Sequence, residues 1–113
     1  MDLAGHLDDI LSPIGLIEIR RMFGGEGIYC NGRFFAIIAD EDLYFRGFSP
    51  RSRHFFEVER QLPAFTYEAR GKRIRLRYFL VPAELLDEPA TLRSWALLAL
   101  EDEEPQDRRR RKN

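Results

Sequence analysis

Asn31-Gly32 stands between two apolar runs, Gly27-Ile28-Tyr29-Cys30 and Arg33 to Ala39. This dipeptide is the strongest short hairpin signal, because a type I′ turn needs positive φ at both central residues. The return strand carries Phe34-Phe35-Ala36-Ile37-Ile38, which is apolar without alternation. A strand of that kind wants both faces covered. One face must take a helix. In so short a chain the other calls for a second layer or a partner chain.

The hairpin is preceded by Arg21-Met22-Phe23-Gly24-Gly25-Glu26-Gly27-Ile28-Tyr29. Glycine accepts positive φ and lets another backbone come close. Helical spacing lies upstream, where Leu3, Leu7, Ile10 and Leu11 recur until Pro13 and Gly15. The glycines are therefore expected to mark the switch from helix to sheet, with Leu16 to Arg20 as an irregular edge strand. A phosphate loop needs a Lys and a Ser or Thr at its end, and a dinucleotide loop needs strand, glycines, then helix. Neither pattern is met, so a tight turn is the favoured reading. Arg20 and Arg21 beside free backbone amides keep an anion site as the alternative.

Downstream, Leu43 to Arg46 reads as a strand. Ser49-Pro50 opens a helix running to Pro63, with Ser as cap and Pro at the first helical position. Ala64 to Ala69 is a strand with Phe65 and Tyr67 on one face. Arg70-Gly71-Lys72 turns the chain. Arg73 to Leu80 alternates cleanly: Ile74, Leu76, Tyr78 and Leu80 point one way, and Arg73, Arg75, Arg77 and Phe79 the other. Pro82 to Leu86 is a short helical turn. The last helix begins at Pro89 and buries Leu92, Trp95, Ala96, Ala99 and Leu100. Residues 1–100 form one domain, and residues 101–113, which have no apolar side chain, form a disordered charged tail.

Charge is distributed in blocks. Arg46 to Arg77 holds nine Arg/Lys against three Asp/Glu, Glu84 to Asp107 one against eight, and Arg108 to Lys112 adds five cations. The best surface candidate from spacing is Arg73, Arg75, Arg77 and Phe79, joined by Arg70 and Lys72. It could track a phosphate backbone or a single strand, with help from the basic tail. A solvated or partner-pairing face is the favoured reading.

Catalysis finds no constellation. Cys30 sits one residue before a turn, and His6 and His54 are far from it in sequence. One Cys and two spaced His offer no metal spacing, and Asp40-Glu41-Asp42 lacks the grammar of a calcium loop. No cofactor is implied. The single cysteine fits a reducing compartment, and no leader or apolar span is evident. A cytoplasmic, non-enzymatic protein is expected.

Several motifs together resemble the N-terminal domain of the TfoX/Sxy family, the bacterial competence regulators. They are Arg21-Met22-Phe23-Gly24-Gly25-x-Gly27-x-Tyr29, Gly32-x-Phe34-x-Ala36, Leu43-Tyr44-x-Arg46, Phe65-x-Tyr67, Tyr78, Pro82-x-Glu84-Leu85-Leu86 and Trp95-Ala96. The resemblance implies an α+β fold. That fold is a two-layer α/β sandwich, secretion-chaperone-like, with an antiparallel sheet of about five strands in the order α-β-β-β-α-β-β-α. It also implies a regulatory role through protein contacts with the transcription machinery, often as a homodimer. The chain is expected to be a stand-alone form without the family's C-terminal domain. It departs from the family's usual Lys-acid pair at Arg46-Gly47.

Overall fold

The computed structural model describes residues 3–22 and 24–101. Phe23 and residues 102–113 lie outside them, and so does all but the first residue of the expected charged tail. Helix α1 (Leu3–Leu11) runs into a 3₁₀ turn, Ser12–Ile14. Six strands follow: β1 (Ile17–Met22), β2 (Gly25–Cys30), β3 (Arg33–Ala39), β4 (Asp42–Arg46), β5 (Ala64–Ala69) and β6 (Lys72–Leu80). Helix α2 (Pro50–Arg53) continues as a π-helical turn, His54–Glu59, between β4 and β5. A 3₁₀ turn, Ala83–Asp87, leads to α3 (Pro89–Ala99). The strands form one antiparallel sheet in the order β1-β2-β3-β4-β6-β5. The fold is thus the expected α+β arrangement, with six strands where about five are read from the sequence.

The sixth strand changes the meaning of the glycine stretch. Arg21 and Met22 are strand residues, and Met22 pairs with Gly25 across the β1–β2 hairpin. The stretch is therefore the tip of a hairpin inside the sheet, and not a corner between helix and sheet. The alternation of Ile17 and Ile19 with Glu18 and Arg20 carries the strand on through Met22, because its inward side chains reach the core. The other hairpins use the expected chemistry. Asn31 and Gly32 have φ of 52° and 83°, Asp40 and Glu41 51° and 68°, and Arg70 and Gly71 55° and 77°. Positive φ at both central residues is the type I′ signature.

All helices lie on one face of the sheet. Phe35, Phe45, Phe56 and Phe79 are fully buried there, with Leu7, Leu11, Ile28 and Leu92. Phe56 is the joint between the layers, with ring centroids 6.5 Å from Phe45, 6.1 Å from Phe79 and 5.7 Å from Trp95. Gly47 makes room for this cluster, since a Cβ there would lie 2.7 Å from the Phe79 ring. A capping box starts α2: Ser49 accepts from the Ser52 amide, and Ser52 Oγ accepts from the Ser49 amide. The helix ends before Pro63, at Glu59. Its last turns are π-helical, and Phe55 and Phe56 both reach Trp95 from them.

The C-terminal end of α3 is tied to the sheet. Arg33 donates to the Leu100 carbonyl and Arg46 Nε to the Ala99 carbonyl. Cations suit the negative end of a helix. Glu101 accepts from Ser49 Oγ and pairs with Arg51.

Two outcomes follow. Phe56→Ala should lose about 3–5 kcal/mol in urea unfolding, the range for emptying a buried aromatic site. The Glu101 carboxyl is held below its ordinary value of 4.5, first by the Arg51 hydrogen bond and then by Ser49, against the opposing effect of burial. A depressed carboxyl stabilises the fold above its unfolded pKa and loses that contribution as pH falls through the folded value. Thermal melts of Glu101→Gln should therefore fall below those of the parent at neutral pH. The two should converge in acid, below 4.5.

Candidate functional site

The one-sided helix layer leaves the opposite sheet face bare among the described residues, and that face is aromatic. Tyr29 packs on Phe34 at 5.2 Å between ring centroids, Phe34 on Tyr78 at 5.9 Å, and Phe48 on Tyr78 at 5.7 Å. Further along, Tyr44 meets Phe65 edge-on at 5.1 Å, and Phe65 leans on Tyr67. β4 and β5 are not neighbours; β6 lies between them. Contact between Tyr44 and Phe65 over the top of β6 means that the sheet curls towards this face. Irregular register in the β5–β6 pairing between Ala64 and Thr66 helps to bring Phe65 there.

The curl produces a cavity of about 730 Å³. Met22 and the Gly24-Gly25 tip form one wall, Phe34 and Ile37 the floor, and Phe65, Tyr67, Leu76 and Tyr78 the far wall. The motif glycines shape its near side. Gly24 has φ of 80°, the left-handed turn conformation. A Cβ on Gly25 would fall 2.3 Å from the Ile38 carbonyl oxygen. One on Gly27 would fall 2.8 Å from Met22 Sδ and 2.9 Å from Phe34 Cε1. Gly27 is thus the gap into which Met22 and Phe34 lean. Tyr29, the last motif residue, carries the Arg20 guanidinium 4.2 Å above its ring. Arg21 faces Glu26 across the strand pair and lines a second hollow beyond the hairpin tip. Phe23 lies outside the described residues.

The arginine strand is placed differently from a free basic surface. Arg73, Arg75, Arg77 and Phe79 do alternate onto one face, but it is the face that carries the helices. Phe79 is wholly buried and belongs to the core, so it is no part of a contact surface. Arg75 donates to Glu57 at 2.8 Å, and Arg73 reaches Glu68 at 3.4 Å and Thr66 at 3.3 Å. Glu57 also accepts from Arg53, and its carboxyl is held low by Arg53 and then Arg75. Arg77 gives its carbonyl to the Gly47 amide. Arg70 occupies a positive-φ turn position, and Lys72 starts β6, both exposed. The alternate set of this strand, Ile74, Leu76 and Tyr78, lies on the open face.

Cys30 is buried, and its thiol is pushed up by that burial. His6 Nε2 lies 3.2 Å from the Leu86 carbonyl, and His54 pairs with Glu59. The three are therefore dispersed. Among the described residues no group of three or more His, Cys, Asp or Glu is placed to hold a metal, and no helix is long and apolar enough to cross a membrane.

The aromatic face is the feature that sequence reasoning left unassigned. Its signal was present as period-two pairs, Phe65 with Tyr67 and Leu76 with Tyr78. Alternation alone does not say which side of a strand meets helices.

The structure defines a two-layer α+β domain with helices on one side and a concave aromatic sheet on the other. Residues 9–103 match the family model described as the TfoX N-terminal domain. The chain belongs to that family. Among curated proteins, none matches it.

The glycine contacts make a direct prediction. Gly25→Ala should destabilise by about 1–3 kcal/mol, because β2 must move off the Ile38 carbonyl. Gly24→Ala, with open space around it, should cost only the left-handed backbone strain of about 1–2 kcal/mol. Parallel chemical denaturation curves decide the order.

Proposed function

We propose that this chain is a non-enzymatic, cytoplasmic regulatory domain that acts by protein–protein contact through its open sheet face. The first partner is a second copy of itself, and the setting is transcriptional regulation. The observation that carries this reading is the aromatic face. Six strands spaced at about 4.8 Å span roughly 25 Å. Such a face is comparable with the roughly 800 Å² that each partner gives to a standard interface. Its composition, Tyr, Phe, Met and Arg with few Lys or Glu, is that of interface cores. Membership of the TfoX N-terminal family supports the regulatory setting.

Nucleic acid is the weaker reading. Two of the exposed arginines of β6, Arg75 and Arg73, are engaged with Glu57 and Glu68, and phosphate would have to compete with those carboxylates. Arg51, Arg53, Arg60, Arg70 and Lys72 are the other exposed cations of the basic block.

Sedimentation of the full chain across the micromolar range tests the proposal. A reversible dimer is expected, weakened at least about tenfold by Tyr29→Ser with Phe48→Ser and unaffected by Arg75→Ala. A monomer throughout, with no protein partner in a pull-down, overturns it. Affinity for single-stranded DNA that falls steeply with salt, and less steeply after replacement of Arg73, Arg75 and Arg77, would favour the nucleic-acid reading instead.

A further inference from the structure

We propose that the free edge of β1 is a second contact between copies of this chain, made by antiparallel pairing of β1 with β1 of a partner. The contact uses the sheet edge and leaves the open face as it is, so it does not rest on the open-face dimer.

The backbone sets the first condition. β1 ends the sheet. The Asn31 amide donates to the Leu16 carbonyl at 2.8 Å, so Leu16 and Asn31 are a hydrogen-bonded pair at the start of the β1–β2 ladder. Such pairs recur at every second residue of an antiparallel ladder. Glu18, Arg20 and Met22 therefore bond to β2, at Tyr29, Gly27 and Gly25. Ile17, Ile19 and Arg21 turn their N–H and C=O groups outward, where no described residue pairs with them. Native sheets blunt such edges with proline, lysine or a bulge. β1 has none of these: it reads Ile-Glu-Ile-Arg-Arg-Met, and its register to β2 is unbroken. The opposite edge strand, β5, has an irregular register between Ala64 and Thr66.

Side chains select the occupant and the register. Outward groups meet outward groups when Ile19 stands opposite the partner's Ile19 on a two-fold axis. Glu18 then faces the partner's Arg20, and Arg20 the partner's Glu18, as the closely spaced kind of cross-strand pair. On the same face Leu16, 66% exposed, comes opposite the partner's Met22. On the other face Ile17 comes opposite the partner's Arg21. The two neighbouring registers that also match outward groups are worse. One sets Glu18 against the partner's Glu18, and the other sets Arg20 against the partner's Arg20. Like charges directly opposite are destabilising, so charge picks the centred register. Glu18 and Arg20 already pair within the strand at 2.8 Å. Edge pairing gives each a further neighbour of opposite sign, with signs alternating around the group. A second copy carries the required mirrored order of charges by symmetry, which is the condition of a two-fold contact.

Residue-resolved amide hydrogen exchange on the full chain tests this. As protein concentration rises, the Ile17, Ile19 and Arg21 amides should exchange at least about tenfold more slowly, as newly bonded groups do. Rates that ignore concentration overturn the proposal. Glu18→Arg and Arg20→Glu each put like charges opposite one another across the axis, so each alone should lose the protection. Mixing the two restores opposite charges at both places. Isotope-labelled Glu18→Arg should therefore regain protection when unlabelled Arg20→Glu is added. Both positions are exposed, and circular dichroism shows whether the variants are folded. Protection that survives in either single variant, or a folded mixture without recovery, overturns the proposal. Phe48→Ser, on the open face, should leave the edge protection unchanged, so failure of the open-face contact and failure of the edge contact read out separately. Loss of β1 protection in folded Phe48→Ser would assign it to the open face and overturn the edge contact.

Discussion

The contact on which the rest depends is the ring of Phe56 against Phe45, Phe79 and Trp95. It is made from the π-helical turn that continues α2 between β4 and β5. Through it, β4, β6 and α3 share one apolar centre. Gly47 is part of the same constraint, because the Phe79 ring lies where its side chain would stand. Close packing of this sort leaves little slack, and changes of a single methylene are felt. It also holds the α2 segment and α3 to one face of the sheet.

The consequence is an asymmetric sheet. One face is filled by helices, and its charged residues at the β5–β6 end, Arg73 and Arg75, find acids on neighbouring elements. The other carries half-buried rings that contact one another instead of a second layer. Those rings stay in place because they pack on each other and because the strand curl turns them inward. Apolar surface of that size on a small domain usually marks a place of contact.

The glycine stretch has a role in both layers. Gly25 lets β2 approach the Ile38 carbonyl, Gly24 makes the turn, and Gly27 leaves the space that Met22 and Phe34 use. Glycine-rich segments suggest phosphate chemistry only when a helix follows with its free amides. Here a strand follows, and Gly25 and Gly27 stand within its pairing with β1. Glu26 stands opposite Arg21 at the same corner, on the helix side of the sheet, and both line the hollow beyond the hairpin tip with Asp40.

Much was legible from residues alone. Asn31-Gly32, the uninterrupted run at Phe34 to Ile38, Ser49-Pro50 and the alternation along β6 each specify a local conformation, because turn φ values, capping and period-two patterning act between near neighbours. The strand at Ile17–Met22 was harder, since six residues beside three glycines carry little propensity. The sense of β6 was beyond local reading altogether. Alternation divides Arg73, Arg75, Arg77 and Phe79 from Ile74, Leu76 and Tyr78, but either set can face helices. Only tertiary packing decided it: Phe79 had to join Phe56 in the core, which placed the arginines on the helix side, next to Glu57, and left the tyrosine and leucine on the open face. Sequence determined the strands and their turns. The assembled layers determined which face is a surface, because burial is a property of what packs above a strand and not of the strand itself.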